Sequence, residues 1–187
     1  MMSERKNLSP SVTESAFQTF IKRGGDKVVD LDAVYREHSA SVYRFLLAKA
    51  GSSQLAEELT QETFYQAVKS IDRFDGSCEI TTFLFGIAKN VWYNAYRKGM
   101  KATVPLEETE PIAVPSAETD VLARMGREEI ISAVHRIPEP GREVLYLRLL
   151  GSLSFAEIGA ILGRTENWAR VTYYRAKQLL IKEMKQA

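Results

Sequence analysis

The run Ser154–Lys185, SFAEIGAILGRTENWARVTYYRAKQLLIKEMK, decides the fold. Ser154 is followed three residues on by Glu157, the spacing of a capping box. In that motif the Ser hydroxyl accepts from the Glu backbone N–H, and the Glu carboxylate reaches back to the Ser backbone N–H. A helix therefore starts at Phe155, and Gly163 closes it. Thr165 caps a second, longer helix that begins ENWARV. Two helices joined by the turn Gly163-Arg164-Thr165 have the layout of a helix-turn-helix, whose second helix enters the major groove of DNA. Ala169, Tyr173, Ala176 and Leu180 recur at helical spacing and form the side that packs inward. The other side offers Asn167, Arg170, Val171, Tyr174 and Lys177, with Arg175 beside them. That basic face suits DNA; an ordinary amphipathic helix pair is the alternative reading.

Moving upstream, Asp120–Arg136 is amphipathic, with Val121, Leu122, Met125, Ile130, Ile131 and Val134 on one side. Pro138 and Pro140 break the chain, and Arg142–Leu150 forms another helix that Gly151 ends. Residues 120–187 carry eleven cations against eight anions. The stretch before them, 99–119, carries one cation against four anions and contains Pro105, Pro111 and Pro115. Prolines at that density forbid a long helix, so 99–119 is expected to be an extended acidic linker.

On its other side helical periodicity returns. Leu31–Ala50 reads as one helix, with Leu31, Val34, Tyr35, Val42, Phe45 and Leu46 on its apolar side and Gly51 as its stop. Ser52 or Ser53 caps the next helix, QLAEELTQETFYQAVKSI, whose stripe is Leu55, Leu59, Phe64, Ala67, Val68 and Ile71. Glu58, Gln61, Glu62 and Gln66 lie off that stripe, either as a solvated face or as an acidic docking face for a basic partner. A turn at Asp75-Gly76-Ser77 leads into ITTFLFGIAKNVWYNAYRKGMK. Ile80, Phe83, Leu84, Ile87, Val91 and Ala95 are its expected core positions. The remaining face interleaves Trp92, Tyr93 and Tyr96 with Lys89, Asn90, Asn94, Arg97 and Lys98. Aromatics among amides and cations suit single-stranded nucleic acid, on which bases stack while cations follow phosphates. Aromatics that merely finish a core are the other reading.

The fold class expected is therefore all-α: two small helical domains, 31–98 and 120–187, joined by the linker, after an N-terminal extension, 1–30, with a short helix around Thr13–Arg23. The composition agrees. With 187 residues, 45% of them apolar, the chain can build one medium core or two small ones. Net charge is +1, so charge distribution carries more information than the total. One cysteine, Cys78, rules out an intramolecular disulfide. With His38 and His135 it makes three scattered candidates, short of the four N or S ligands of a zinc site. No metal or cofactor is expected. Neither a Gly-rich phosphate loop nor a nucleophile triad is present, so an enzyme is not expected either. The start, MMSERKNLSPSVTE, has no apolar core of a secretory signal, and no apolar run approaches the ~20 residues of a membrane span. A cytoplasmic protein with no membrane insertion is the expectation.

Three of these stretches together go beyond generic pattern. AEELTQETFYQAVKSIDRFDG is similar to the family motif A-E-D-L-x-Q-E-x-F with its following D-x-F-x-G-like turn. TTFLFGIAKNVWYNAYRK is similar to T-W-L-Y-x-I-A-x-N-x-x-x-D-x-x-R-x. IPEPGREVLYLRLLGSLSFAEIGAILG is similar to L-P-x-x-x-R-x-V-x-x-L-R-x-x-x-x-L-S-x-x-E-I-A-x-x-L-G. In this order, over Leu31–Lys98 and Ala123–Leu180, the chain resembles the extracytoplasmic-function (ECF) sigma factors of bacterial RNA polymerase. Phe83 and Phe85 stand where the family has Trp and Tyr, and Asn94 where it often has Asp. In the recognition helix, Thr172 replaces a frequent Arg and Trp168 a frequent Thr, which implies an altered −35 preference or a shifted phosphate contact.

The resemblance implies a sigma factor that binds core RNA polymerase and directs promoter-specific initiation. Domain 31–98 would bind core and hold the −10 region, and 120–187 would read the −35 region. Glu58, Gln61, Glu62 and Gln66 would dock on the β′ clamp, and the C-terminal lobe would reach the β flap. Arg73, Asp75, Gly76, Ser77, Lys89, Asn90, Asn94, Arg97 and Lys98 would hold opened −10 DNA. Arg164, Thr165, Asn167, Trp168, Arg170, Val171, Tyr174, Arg175 and Lys177 would meet the −35 duplex. Promoter DNA and polymerase are the implied partners, with an anti-sigma factor as an implied inhibitor. The competing reading is a stand-alone helix-turn-helix regulator that binds as a dimer to a palindrome.

Overall fold

Asp30 begins the helical part of the chain by accepting hydrogen bonds from the backbone N–H groups of Asp32 and Ala33, at 3.0 and 3.1 Å. In the computed structural model, which describes residues 21–24, 27–99 and 127–186, this cap opens α1, Leu31–Ala50. Gly51 ends α1 at φ 65°, where a residue without Cβ meets no steric penalty. Ser52 caps α2, Ser53–Ser70, which runs on into a 3-10 turn at Ile71–Arg73. After the loop comes α3, Ile80–Arg97. The second group is α4, Arg127–Arg136, α5, Gly141–Gly151, α6, Phe155–Leu162, and α7, Glu166–Gln186. The expected capping box is present in both halves: Glu157 N–H donates to Ser154 Oγ, and Ser154 N–H to Glu157 Oε2.

The all-α expectation holds for both lobes and needs one amendment in the extension. Ile21–Gly24 (β1) pairs antiparallel with Lys27–Asp30 (β2), with Ile21 opposite Asp30 and Gly24 opposite Lys27. The expected helix around Thr13–Arg23 is thus a strand from Ile21 on, and its earlier part lies outside the described residues, as do the acidic linker from residue 100 and the start of the expected Asp120–Arg136 helix. The missed signal is Gly25-Asp26 between IKRG and KVVD, a dipeptide of the kind that joins hairpin strands. β1 lies beside the 3-10 turn.

Packing follows the expected stripes in α2 and α7, whereas in α1 the expected Tyr35 is exposed and Leu47 is buried instead. Leu55, Leu59, Phe64 and Ala67 of α2 are buried, as are Ala169, Tyr173, Ala176 and Leu180 of α7. α3 departs from expectation. Leu84, Val91 and Ala95 are buried, Ile80, Phe83 and Ile87 are half-buried, and Phe85 and Ala88 have no exposure at all. The cause is a second packing partner: α3 also touches α5 and α6, so a second face of the helix is covered. The two lobes thereby share one apolar cluster, from Phe45 and Phe85 to Leu147, Ile158 and Leu180. A smaller cluster of Leu31, Ile71 and Phe74 sits under the 3-10 turn.

Candidate nucleic-acid interface

The turn of the helix-turn-helix is set by close backbone approach. Gly163 takes φ 64°, and Arg164 N–H donates to the Gly159 carbonyl at 2.8 Å. A Cβ on Gly159 would lie 2.8 Å from the Arg164 carbonyl oxygen. Only glycine lets α6 pass so near the turn. Its signal in the sequence is a glycine inside a helical pattern, which does not by itself say what approaches it. Thr165 Oγ1 accepts from Trp168 N–H at 3.1 Å, which fixes the entry of α7.

With the buried stripe against α5 and α6, the opposite side of α7 faces outward. Arg164, Thr165, Asn167, Arg170, Val171, Tyr174 and Arg175 are exposed there, with Trp168 and Lys177 half-buried. This brings the expected set onto one surface. Arg164 lies over the Trp168 ring, 5.7 Å from its centroid. Arg170 is paired with Glu166 one turn earlier and lies 5.7 Å from the Phe155 ring, which Arg148 approaches at 5.0 Å. Phe155 of α6 therefore braces a cation of α7, a contact across two elements that no local spacing reveals.

On α3, Asn90, Asn94 and Arg97 follow each other along one exposed side, with Tyr93 and Tyr96 beside them and Lys98 just beyond. Asn94 Oδ1 accepts from Arg97. Nearby, Asp75 Oδ1 accepts from Ser77 N–H at 2.9 Å and Gly76 takes φ 75°, so the turn is an Asx-type bend with Arg73 exposed next to it. The Ser77 side-chain and backbone hydrogen bonds hold the Asp75 carboxyl below its usual range. Cys78 is pushed the other way, first by desolvation and then by Asp75 and Glu79, so its thiol stays protonated and a poor nucleophile. Lys89 stands apart from this set: its Nζ donates to the Ile161 carbonyl of α6 at 2.5 Å.

α2 turns a third surface outward. Glu58, Gln61 and Glu62 are exposed and Gln66 is half-buried. Glu58 accepts from Gln54, and Glu62 from Gln66 at 2.6 Å. Among the described residues no cation comes within 4.0 Å of either carboxylate. Two carboxylates one turn apart, oriented by glutamines and unpaired, leave a negative strip. Among the described residues there is no group of three or more His, Cys, Asp or Glu that could hold a metal ion, and no helix long and apolar enough to cross a membrane.

Comparison with known proteins gives these surfaces their context. Residues 34–102 match the model of sigma-70 region 2, and residues 127–180 that of sigma-70 region 4, together about two thirds of the chain. The chain is similar to the ECF RNA polymerase sigma factor SigM of Bacillus subtilis, with 28% identity over 80% of this chain and 92% of that one. It is also similar to the RNA polymerase sigma factor YlaC of the same organism, with 27% identity over 85% and 92% of the two chains. In fold it resembles CnrH, solved with the cytosolic domain of CnrY (TM-score 0.64, 18% identity, 84% and 88% covered). It resembles equally the sigma factor RpoE of Bartonella quintana, solved with the anti-sigma factor NepR (TM-score 0.64, 20% identity, 83% and 97% covered). Two sigma-70 regions in order, on a helical fold shared with solved sigma factors, place this chain among the ECF sigma factors, which bind RNA polymerase and direct promoter-specific transcription.

Proposed function

We propose that the three outward surfaces divide the work of initiation as the sequence motifs imply, with residues 31–98 as one functional unit and 120–187 as the other. The strip Glu58, Gln61, Glu62 and Gln66 docks on a basic surface of the polymerase, the β′ clamp, while the C-terminal lobe reaches the β flap. Its unpaired carboxylates are the single observation that carries this reading, since charge complementarity sets the partner and speeds encounter. The side of α3 with Asn90, Asn94 and Arg97, and the turn Arg73–Ser77, take the opened −10 strand, where a flipped base recovers a few kcal/mol of unstacking through edge contacts and stacking. The outward face of α7 enters the −35 major groove. The protein supplies recognition and no catalysis; the polymerase makes RNA. An anti-sigma partner of the kind seen with the fold relatives holds it inactive.

The test is a charge reversal. Glu58→Arg with Glu62→Arg is expected to abolish co-elution with sigma-free core polymerase while circular dichroism and binding of −35 duplex stay as in the parent chain. Undiminished co-elution of the double variant removes the docking assignment.

A further inference from the structure

The outward face of α7 does not hold its cations with its own residues alone. Phe155 opens α6, the other helix of the helix-turn-helix, and is half-buried. Its ring has two neighbours on α7, Tyr173 at 5.4 Å and Tyr174 at 6.2 Å between centroids. Tyr173 is 3% exposed and meets Tyr174 edge-on at 5.5 Å, so the three rings form one aromatic group rooted in the core. Two guanidiniums approach the Phe155 ring, that of Arg148 from α5 at 5.0 Å and that of Arg170 from α7 at 5.7 Å. Arg148 is tied down in turn: its Nη1 donates to the Leu153 carbonyl, just before α6, at 2.8 Å. One ring thus links a cation fixed by backbone to a cation on the outward face. The like charge of Arg148 also disfavours any retreat of Arg170 toward the ring's inner side.

The two restraints on Arg170 differ in kind. Glu166 pairs with it one turn earlier, and both side chains are 51% exposed. An ion pair so open to water contributes little and weakens with salt. It also takes up N–H donors that a base would need. A ring against the guanidinium acts through its quadrupole and leaves those donors available. Phe155 is therefore the restraint that can persist once Arg170 meets DNA.

Selectivity depends on such a restraint. A freely swinging arginine reaches the phosphates at the groove edge as readily as a base, and phosphate contacts carry no sequence information. Guanine presents O6 and N7 side by side, and a guanidinium bonds to both only in a narrow range of orientations. We propose that Phe155 is the positioning residue that gives Arg170 its base selectivity. From α6 it fixes the guanidinium over one base pair of the −35 element and away from the flanking phosphates. This inference rests on the reading, proposed above, that the outward face of α7 enters the −35 major groove.

The test offers holoenzyme, formed from core polymerase and the full-length chain, duplex fragments randomised over the −35 element. Base preference at each position is read from the bound fraction. Arg170→Ala identifies the position that Arg170 reads. Phe155→Leu keeps an apolar side chain and removes the ring. At that position it is expected to lower the preference for the favoured base roughly two- to fivefold, while preferences elsewhere and the melting of the chain stay near those of the parent. Phe155→Tyr, which retains the ring, is expected to keep the parental preference. In an Arg170→Ala background Phe155→Leu is expected to cause no further loss. Should Phe155→Leu fail to fold, Phe155→Met carries the same comparison with a side chain that adapts to the space. A Phe155 that only fills space lowers binding to every fragment alike and adds its loss to that of Arg170→Ala; either result overturns the proposal. Where Arg170→Ala relaxes one position and Phe155→Leu does not, the role of Phe155 falls alone. Where neither relaxes any position, base reading by Arg170 falls with it.

Discussion

At Arg170, position and restraint coincide. The guanidinium is exposed on the outward face of α7, yet it is held by Glu166 and braced on Phe155. A held cation is already oriented when DNA arrives, and Arg reads guanine by two parallel hydrogen bonds. Arg170→Ala is expected to cost about 1–3 kcal/mol at one base-pair position of the −35 element and to relax selection there. Binding measured across single-base variants of the element checks this; an equal loss on every sequence makes Arg170 a phosphate contact instead. Gly159 is the complementary case, a residue with no side chain that fixes the turn leading into α7. Its absent Cβ admits the Arg164 carbonyl at a distance no side chain tolerates. Gly159→Ala is expected to destabilise the chain by roughly 1–3 kcal/mol through overpacking and to weaken −35 binding by shifting the start of α7. A chemical melt together with duplex titration measures both, and an unchanged melt shows that the turn yields without strain.

Among the elements, boundaries set by local chemistry are legible in the sequence. Ser154 with Glu157, Gly163, Thr165 and Gly51 each act within one turn of chain, so spacing alone places α6, α7 and the end of α1. The burial of Phe85 and Ala88 is not legible there, because it is imposed by α5 and α6 from half a chain away. Periodicity reports one buried face of a helix and says nothing about a second. The same holds for Lys89, whose sequence neighbours suggest nucleic acid while its ammonium is taken up by the Ile161 carbonyl. The capping box of α6 shows how a local device acquires a distant partner. Desolvation raises the Glu157 carboxyl, but the Ser154 hydrogen bonds, Thr82 and the charge of Arg148 outweigh it and hold the carboxyl below its ordinary value of 4.5. A carboxyl depressed in the folded state contributes stability that is complete above 4.5 and is lost as pH falls through its lower folded value. Stability of the parent chain is therefore expected to fall more steeply below 4.5 than that of Glu157→Gln, which has no carboxyl to protonate. Parallel pH profiles remove this role for the cap.

At the scale of the whole molecule, the two lobes are packed as one unit. A single apolar cluster runs through both, and the Lys49–Glu143 pair ties α1 to α5. Cooperative unfolding is the thermodynamic expression of such sharing, because neither lobe can lose its structure without exposing part of the other's core. The chain contains two tryptophans, and they fall one to each lobe: Trp92 on α3 and Trp168 on α7. Trp168→Phe leaves fluorescence that reports the N-terminal lobe, and Trp92→Phe leaves fluorescence that reports the C-terminal one. In urea the two single-tryptophan chains are expected to show coincident transitions with a common midpoint. A Cβ on Gly151 would meet the Phe85 ring of the N-terminal lobe at 3.0 Å and Leu153 of its own lobe at 3.2 Å, so adding Gly151→Ala to each as a wedge is expected to separate them. The slope of each transition is then expected to drop, because each now exposes less surface on unfolding than the packed chain does. Separate midpoints in the chains that lack the wedge mean that the lobes are energetically independent, and the contact between them then has too little free energy to couple them.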